Sequence, residues 1–441
     1  MTSPKPALRV APPLAADSLD VSFAENALST LVRLFDRLGD AFVVRSPAIG
    51  RRLLVLSHPD HVRHILVDNH ANYRKGVGID RVAILLGNGI MTSEGETWRT
   101  QRKMIQPAFH RRVIAGYVER MQVANARLAA KWEAAARAGM PVNVTQDMSQ
   151  VTLEIILRAL FGDDLDRLVT SRPDNPFALL TEETGRDLLF ASRFRSLSSL
   201  IFEEVERRRR AGQTSNDLVS MLLEANDRRS GEPMSDRHLL DEILTLIIAG
   251  HETTASALNW FWWLLAQHPA AEAKLLAELS ANADAGILVP GHADLERYPY
   301  TLQALSETLR LYPPGWLLTR RAIAADTIAG TDVEPGTDIL LSPYLIQRHP
   351  GFWPVPDRFD PDRFAPDAVA ARNRFAYLPF GLGPRACIGE HFALVEMQIH
   401  VAMLARRFRL VPVPDQRVEP EPQVNLRTRH PVFMFPHLRP E

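Results

Sequence analysis

Apolar residues recur at every third or fourth position along most of this chain, which is the spacing of amphipathic helices. The helices predicted from this spacing are at residues 23–39, 112–138, 145–162, 175–190, 196–211 and 388–406. Short apolar runs bounded by glycine or proline predict strands. These strands are at residues 41–45, 52–56, 317–323 and 338–341. The pattern therefore predicts a mainly α-helical fold with small β-sheets.

One further helix is predicted to be much longer than the others. It starts after Ser235, a good N-cap residue, and ends at His268, where Pro269 stops it. From Leu239 to Ala249 it is apolar nearly all round, as expected for a helix that passes through a core.

The middle of that helix contains the string Ala249-Gly-His-Glu-Thr-Thr254. Gly250 costs a helix roughly 1 kcal/mol relative to alanine, so the glycine needs a reason. The Thr253 hydroxyl can hydrogen-bond back to the Ala249 carbonyl and open the helix locally, which would leave room for a small ligand. A kinked core helix with buried polar residues is the plainer alternative. The string is not a zinc-protease motif, because position 255 is alanine.

The rest of the chain divides into few distinct regions. Residues 1–20 are proline-rich and predict an irregular arm, which is followed by a single domain over residues 21–441. Four glycines in and around the apolar stretch 77–91 predict a mobile loop with short helical pieces. The arginine run 207–210 is interpreted as a solvated helix end.

Three histidines share one stripe of a short predicted helix. They are His58, His61 and His64. We interpret them as residues of a surface helix, because no carboxylate or thiol completes a metal-ligand set with them.

Composition narrows the class of protein. Charged residues make up 23% of the chain and hydrophobic residues 46%, as in ordinary globular proteins. The net charge of -1 implies no bulk affinity for nucleic acid or anionic membranes. No uncharged apolar run reaches the roughly 18 residues that a membrane span needs. We therefore expect a soluble, cytoplasmic protein that is a monomer.

The candidate chemistry centres on Cys387, the only cysteine of the chain. It lies in the string Phe380-Gly-Leu-Gly-Pro-Arg-Ala-Cys-Ile-Gly389, where a glycine-rich loop leads into a predicted helix. A helix N-terminus offers unpaired N–H groups and a positive dipole end, which stabilise a thiolate. Such a thiolate can be a nucleophile or a metal ligand. A single cysteine excludes an internal disulfide and an iron–sulfur cluster on this chain.

Two other interpretations of this string are weaker. A lone cysteine is commonly a small buried hydrophobe. The Gly-x-Gly-x-x-Ala spacing from Gly381 to Ala386 also mimics a dinucleotide fingerprint. That fingerprint needs a preceding strand and an acidic residue about 20 positions on. Here Pro379 interrupts the preceding segment, and a helix follows Cys387.

The whole string, Phe-x-x-Gly-x-Arg-x-Cys-x-Gly, resembles the haem-binding loop of the cytochromes P-450. The resemblance implies that the cofactor is haem b, with Cys387 as the axial ligand of the iron. It also implies that the haem lies between the long central helix and this loop. The loop residues expected to contact the haem are Phe380, Gly381, Arg385 and Gly389.

Further motifs stand in the order found in that family. Trp98 and Arg102 resemble the helical pair that holds a haem propionate, and Arg321 lies where the family often places another propionate-binding arginine. The string Ala249–Thr254 resembles the oxygen-activation motif, with Ala249 and Gly250 beside the haem. The set Glu307, Arg310 and Arg363 resembles the structural triad that anchors the cysteine loop.

The resemblance implies a haem-thiolate monooxygenase that inserts one oxygen atom from O2 into a lipophilic molecule, such as a fatty acid or terpenoid. Thr253 and Glu252 are then expected to deliver protons at the haem. Electrons are expected from a separate ferredoxin with its reductase, or from a flavodoxin-type donor, with Arg99, Lys103 and Arg385 as docking candidates.

Apolar residues near these motifs predict the substrate pocket. They are Val82, Ile84, Leu85, Leu86, Leu246, Ala249, Leu317 and Leu318. The segment Gly87–Trp98 resembles the fatty-acid-hydroxylating branch of the family. The region between Gly162 and Arg207 is shorter than the lid segment usual in the family, so the resemblance does not specify the geometry of the lid.

Two alternatives to a monooxygenase remain on the same fold. One is a peroxygenase driven by hydrogen peroxide, against which the Glu252–Thr253 pair argues, since such an enzyme needs no proton relay to O2. The other is a non-catalytic haem sensor or carrier, for which His251 is the near candidate for a second iron ligand.

Overall fold

The computed structural model describes residues 23–46, 50–170, 174–181, 188–212, 215–227, 230–328 and 330–440. The predicted arm at residues 1–20 lies outside these residues. The chain divides into two compact units. The sheet unit comprises the described residues within 1–80, 302–387 and 418–429, and the helical unit those within 81–301, 388–417 and 430–441. The prediction of a single domain over residues 21–441 stays a prediction.

Helices dominate the described residues. They are α1 (Phe23–Leu38), α2 (Pro59–Arg63), α3 (Ile79–Leu86), α4 (Gly95–Ile105), α5 (Arg111–Ala115), α6 (Val118–Ala138), α7 (Val144–Phe161), α8 (Asp164–Thr170), α9 (Leu188–Ala211), α10 (Leu218–Glu224), α11 (Asp236–Gln267), α12 (Pro269–Asp284), α13 (Pro299–Leu311), α14 (Pro343–Ile346), α15 (Pro366–Ala371) and α16 (Glu390–Leu404).

The strands are short. They are β1 (Ala41–Ser46), β2 (Arg51–Leu56), β3 (Tyr73–Lys75), β4 (Val142–Asn143), β5 (Leu318–Ala322), β6 (Asp326–Ile328), β7 (Thr331–Val333), β8 (Asp338–Leu341), β9 (Phe408–Pro412), β10 (Pro420–Pro422), β11 (Leu426–Thr428) and β12 (Phe433–Leu438). The mainly α-helical fold with small sheets is thus confirmed.

A five-stranded sheet forms the centre of the sheet unit, in the order β1-β2-β8-β5-β3. Strands β2 and β8 are parallel, and the other neighbours are antiparallel. Side chains alternate between the two faces of a strand. One face packs Val44, Val55 and Leu340 against α1, and the opposite face packs Leu56 and Leu341 against the segment after α2.

The predicted long helix is present in the helical unit as α11. Ser235 caps its start, because the Ser235 hydroxyl accepts a hydrogen bond from the His238 amide at 3.3 Å. Most side chains of its apolar stretch are buried, and α11 packs closely along α7. A three-stranded sheet, in the order β4-β12-β9, completes this unit. Among the described helices, none combines the length and the apolar composition needed to cross a membrane.

The predicted mobile loop before α4 is instead fixed to the start of α11. Asp241 accepts a hydrogen bond from the Asn88 amide at 2.8 Å, and Glu242 accepts one from the Ile90 amide at 2.9 Å. A Cβ atom at Gly87 would lie 2.3 Å from the Asp241 carboxylate. The glycines therefore permit a close approach, which sequence spacing does not distinguish from flexibility.

Two predictions about charged and titratable residues were wrong. His58 and His61 are buried rather than exposed, and burial lowers the pKa of His61 to about 4. Among the residues that the structure describes, no metal-ligand cluster of three or more groups is present. The arginine run at 207–210 is not wholly solvated either, since the side chain of Arg208 is fully buried.

The predicted helices at 175–190 and 196–211 do not both form within the described residues. Only a short 3-10 turn, Ala178–Leu180, occurs in the first range before α9. Helix α9 instead starts at Leu188 and continues through the serine-rich stretch. Ser196, Ser198 and Ser199 donate hydrogen bonds to carbonyls four residues earlier, so these hydroxyls are satisfied within the helix and do not end it.

Candidate functional site

The segment Phe380–Gly389, here called the cysteine loop, carries Cys387 as an exposed residue. Its backbone is tightly folded, because the Cys387 amide donates to the Phe380 carbonyl at 2.8 Å. Gly381 and Gly383 have φ angles of 68° and 73°, in the left-handed region that favours glycine. A Cβ atom at Gly383 would lie 1.8 Å from the Leu66 carbonyl oxygen, so only glycine fits there.

Helix α16 runs from Glu390 to Leu404 with Gly389 as its N-cap residue, within the range 388–406 that the sequence predicted. Cys387 therefore precedes the helix by only three residues. The dinucleotide interpretation lacks its first requirement, since no described strand precedes Gly381 directly. The loop geometry agrees with a thiolate presented at a helix start.

The predicted triad is assembled in the sheet unit. The Arg310 guanidinium donates to both Glu307 carboxylate oxygens, at 2.6 and 2.8 Å, and both side chains are fully buried. Arg363 lies 3.4 Å from the same carboxylate. Arg310 also donates to the carbonyls of Gln347 and Pro356, at 2.9 and 2.7 Å.

These hydrogen bonds connect α13 to the irregular segment that leads toward the cysteine loop. Glu307 also accepts a hydrogen bond from the Asp360 amide at 2.9 Å. A buried ion pair is costly unless its hydrogen bonds are satisfied, and here main-chain groups satisfy several of them. The arrangement suits a structural role better than a chemical one.

Arg321, which the sequence predicted to bind a propionate, has a carboxylate partner within the sheet unit. It forms a two-pronged ion pair with Asp338, at 2.8 and 2.9 Å, which engages its guanidinium on one face of the sheet. Arg320 lies on the opposite face, together with Leu318, because neighbouring residues of a strand alternate. Leu318 belongs to the same cluster as Leu382 of the cysteine loop. Arg320 is therefore the better candidate, and strand alternation was the signal that pointed to it.

The central motif of α11 shows the predicted local hydrogen bond. The Thr253 hydroxyl donates to the Ala249 carbonyl at 2.7 Å. Glu252 and Thr253 are half-buried, whereas His251 is buried. Gly250 has a different reason from the one predicted, because a Cβ atom there would lie 3.0 Å from Ile156 of α7. The absence of a side chain at Gly250 thus allows α7 to pack closely against α11.

His251 faces α7. Its Nε2 atom lies 2.9 Å from the Ser149 hydroxyl, and burial lowers its pKa to about 4. This hydrogen bond engages one of the two imidazole nitrogens, whereas Nδ1 has no hydrogen-bond partner among the described residues.

The remaining predicted site residues differ in their surroundings. Trp98 and Arg102 are half-buried and lie one turn apart on α4. In the helical unit, Leu86 and Leu246 are buried and Leu85 is half-buried, but Ile84 is 87% exposed and lines no enclosed pocket.

In the sheet unit, Leu317 and Leu318 pack into clusters on opposite sides of the sheet. They therefore do not face one cavity together, which corrects the prediction that both line the substrate pocket.

Comparison with known proteins decides the family. The family model described as cytochrome P450 matches residues 11–197 and 174–434. The chain belongs to the cytochrome P-450 family. Its fold agrees, because the crystal structure of the cytochrome P-450DA haem domain superposes with a TM-score of 0.83 at 25% identity, covering 98% of this chain and 99% of that one.

Two similar relatives within the P-450 family come from Streptomyces melanosporofaciens. Cyclooctatin synthase is 34% identical, over 87% of this chain and 85% of its own length. Cyclooctat-9-en-7-ol 5-monooxygenase is also 34% identical, over 82% of this chain and 81% of its own length.

Membership in the P-450 family implies a haem cofactor, and the residues present fit one. A haem of this family needs one thiolate, and the sole cysteine is exposed although cysteines rank among the most buried residues. The loop around it is held by glycine geometry that a Cβ atom would disrupt. Haem propionates need cationic partners. Arg102 of the helical unit is half-buried, and so are Arg320 and Arg385 of the sheet unit.

Proposed function

We propose that this cytochrome P-450 monooxygenase inserts one oxygen atom of O2 into a lipophilic small molecule of the terpenoid type. The cysteine loop is the single observation that carries the proposal, because it presents one exposed thiol ahead of α16. The cofactor is haem b, held by the Cys387 thiolate. When bound, it supplies reductive activation of O2 and transfer of one oxygen atom to the substrate, while the other atom leaves as water.

The chain contributes a thiolate whose charge is controlled by its surroundings. A helix start carries unpaired backbone N–H groups, and α16 begins three residues after Cys387 in the sequence. These groups stabilise the thiolate and limit how much electron density the sulfur donates. Trp98, Arg102, Arg320 and Arg385 are proposed to hold the two propionates.

Residues of α11 are proposed to deliver protons to the oxygen site. The Thr253 hydroxyl donates its proton to Ala249 O, so its oxygen lone pairs remain able to accept a hydrogen bond from a second group. Proton uptake then passes through this hydroxyl, with the half-buried carboxylate of Glu252 connecting it toward solvent. Both residues lie on one helix, so their spacing is fixed by the backbone.

The substrate class rests on the relatives and on the lining of α11. One relative is named for its action on cyclooctat-9-en-7-ol, a cyclic alcohol. The side chain of Leu246 is buried on the same helix as Thr253 and is purely apolar. An apolar wall with few polar groups suits a hydrocarbon-like ligand. A fatty acid is the second candidate within this lipophilic class.

The experiment that tests the proposal is replacement of the thiol. Cys387→Ser removes the only sulfur able to ligate iron as a thiolate, so the reduced carbon monoxide complex should lose its thiolate-type absorption band. The wild-type protein, reconstituted with haem in parallel, should show that band. A thiolate-type spectrum in the serine variant would contradict the assignment.

A further inference from the structure

Two histidines from distant parts of the chain meet in the helical unit. His292 opens the 3-10 segment His292–Arg297, and His391 lies in the first turn of α16. Their Nε2 atoms are 3.3 Å apart, and the ring centroids are 5.5 Å apart with the planes at 76°. Both rings are half-buried, so solvent can reach them.

The distance between the two nitrogens matches a shared metal ion. Imidazole nitrogens bind Zn²⁺ at about 2.0–2.1 Å, and two of them in tetrahedral geometry are then roughly 3.3 Å apart. We propose that His292 and His391 form a binding site for a divalent transition-metal ion of the Zn²⁺ type, through their Nε2 atoms. No other His, Cys, Asp or Glu completes a three-ligand cluster among the described residues. Water therefore fills the remaining positions of an open site.

Binding replaces an existing hydrogen bond without net loss of a proton. In the neutral pair, one Nε2 atom carries a hydrogen and donates it to the other. When the ion binds, the donor ring moves that proton to its Nδ1 atom, and both Nε2 lone pairs point to the metal. The rings need only a small rotation about χ2, which is a soft torsion.

The surroundings of His391 favour its neutral ring but limit the affinity for a cation. Burial, Arg111 and His292 lower the pKa of His391, which keeps its ring in the ligand form near neutral pH. The Arg111 charge also repels a cation. We therefore expect moderate affinity, with the order of divalent ions following ligand preference, so that Cu²⁺ binds more tightly than Zn²⁺.

The two segments are already positioned for the ion. The Gly291 amide donates to Asp294 at 2.8 Å, which fixes the start of the 3-10 segment. Gln398 of α16 donates to the Leu295 carbonyl at 3.5 Å. Because both ligands are held before binding, little ordering cost remains. An ion here connects the 3-10 segment to the first turn of the helix that follows Cys387.

The test is zinc titration of the haem-loaded protein by calorimetry, so that the Cys387 thiolate is occupied. We expect one equivalent of Zn²⁺ to bind and to raise the unfolding temperature, since an ion that binds only the folded state stabilises it. His292→Ala and His391→Ala should each weaken binding by about tenfold or more, because chelation by two ligands is lost. His430→Ala, which removes an exposed histidine elsewhere, should leave binding unchanged.

A second measurement, which does not depend on stability, keeps the test valid if the alanine variants fold poorly. Electron paramagnetic resonance of bound Cu²⁺ should show coupling to two nitrogens in the wild-type protein and to one in the conservative variant His292→Asn. Equal zinc binding in wild type and both alanine variants, absence of binding in the wild type, or a copper signal unchanged by His292→Asn would each overturn the proposal. No readout requires turnover, so the result is independent of the proposed function.

Discussion

At the scale of single residues, Gly381 and Gly383 of the cysteine loop have different constraints despite similar backbone angles. Gly383 has φ of 73° and faces the Leu66 carbonyl at a distance that excludes a side chain, whereas Gly381 has φ of 68° and open space beside it. A left-handed alanine costs roughly 1–2 kcal/mol from its backbone alone. A collision with a main-chain oxygen adds to that cost, because the backbone cannot rotate away.

We therefore predict that Gly383→Ala loses most of its haem, while Gly381→Ala retains a large part of it. The measurement is the ratio of haem to protein after purification under haem-sufficient expression. Both variants share the same kind of backbone strain, so the comparison isolates the contact with Leu66. Equal haem content in the two variants would show that this contact does not shape the loop.

Glu396 is another residue whose surroundings predict a measurable effect. It lies on α16, fully buried, and no described residue hydrogen-bonds either carboxylate oxygen. Burial raises its pKa well above the usual 4.5. The folded protein therefore holds a neutral acid, while the unfolded chain ionises above that usual value.

Because of this difference in pKa, the free energy of unfolding depends on pH. Because the pKa of Glu396 is higher in the folded than in the unfolded state, its contribution to stability is fully present below pH 4.5. That contribution is lost as pH rises toward the folded-state pKa. Glu396→Gln removes the ionisation, so its unfolding free energy should exceed that of the wild type increasingly as pH rises. The expected gain is about 1.4 kcal/mol per pH unit across that window.

Urea unfolding at about pH 5 and about pH 8 measures this gain. Glu203→Gln is the matched control, because Glu203 is exposed and the change should have no pH-dependent effect. A constant difference between Glu396→Gln and wild type at both pH values would contradict the prediction.

At the scale of elements, buried charge organises the end of α9. Arg208 donates to Asp217 of the α10 cap, to Glu204 one turn earlier and to the Phe161 carbonyl of α7, all at 2.7–2.9 Å. Burial opposes ionisation of Glu204, but hydrogen bonds from Arg207, Arg167 and Arg208 lower its pKa to about 2. One guanidinium thus joins three helices.

Arg208→Ala should destabilise the protein by about 3–5 kcal/mol, because it leaves the buried Asp217 carboxylate without its cationic partner, whereas Glu204 keeps Arg207 and Arg167. Arg210→Ala in the same run should change stability by less than about 0.5 kcal/mol, since that side chain is 76% exposed. Urea titration of each variant measures these losses as free energies of unfolding. Similar losses in both variants would show that burial of Arg208 carries no special weight.

The same run shows what the sequence could and could not predict. Four consecutive arginines are typical of a solvated helix end, and nothing local indicates that Asp217 and Phe161 will surround one of them. Helix α11 was predictable to within a residue, because Ser235 and Pro269 mark its ends locally. Glu307 and Arg310 were predictable as a pair from spacing, but their main-chain partners come from residues 347–358, which only the fold brings near.

Errors at the site have the same origin. Arg321 was predicted from its place in a motif, which fixes approximate position only, whereas the face of a strand depends on which neighbour it pairs with. Gly250 was assigned to ligand space, yet its close neighbour is Ile156 of α7, 94 positions earlier in the chain. Cys387 and its loop were predictable because the chemistry and the turn geometry both lie within ten consecutive residues.

At the scale of the whole molecule, the number of cysteines limits which redox centres the 441 residues can hold. Its single cysteine is committed to haem in the proposed function, so an iron–sulfur cluster cannot be built on these 441 residues. The proposed function needs two electrons, and we propose that a ferredoxin or a flavodoxin-type donor supplies them. Lys103 of α4 is exposed and carries a charge that an acidic donor would recognise.

We predict that a cyclic terpenoid alcohol is oxidised when a ferredoxin, its reductase and NADPH are supplied, and only weakly when hydrogen peroxide replaces them. The physical reason is the proposed role of Thr253 and Glu252, which is to deliver protons during O2 reduction, a step that peroxide bypasses. Lys103→Glu should raise the KM for ferredoxin and lower its salt dependence, because a rim charge acts mainly on encounter. It should leave the small peroxide-driven rate unchanged, since that route needs no docking. Robust peroxide-driven product without reductase would identify a peroxygenase instead, and would remove the proton-delivery role from α11 while keeping Cys387 as the haem ligand.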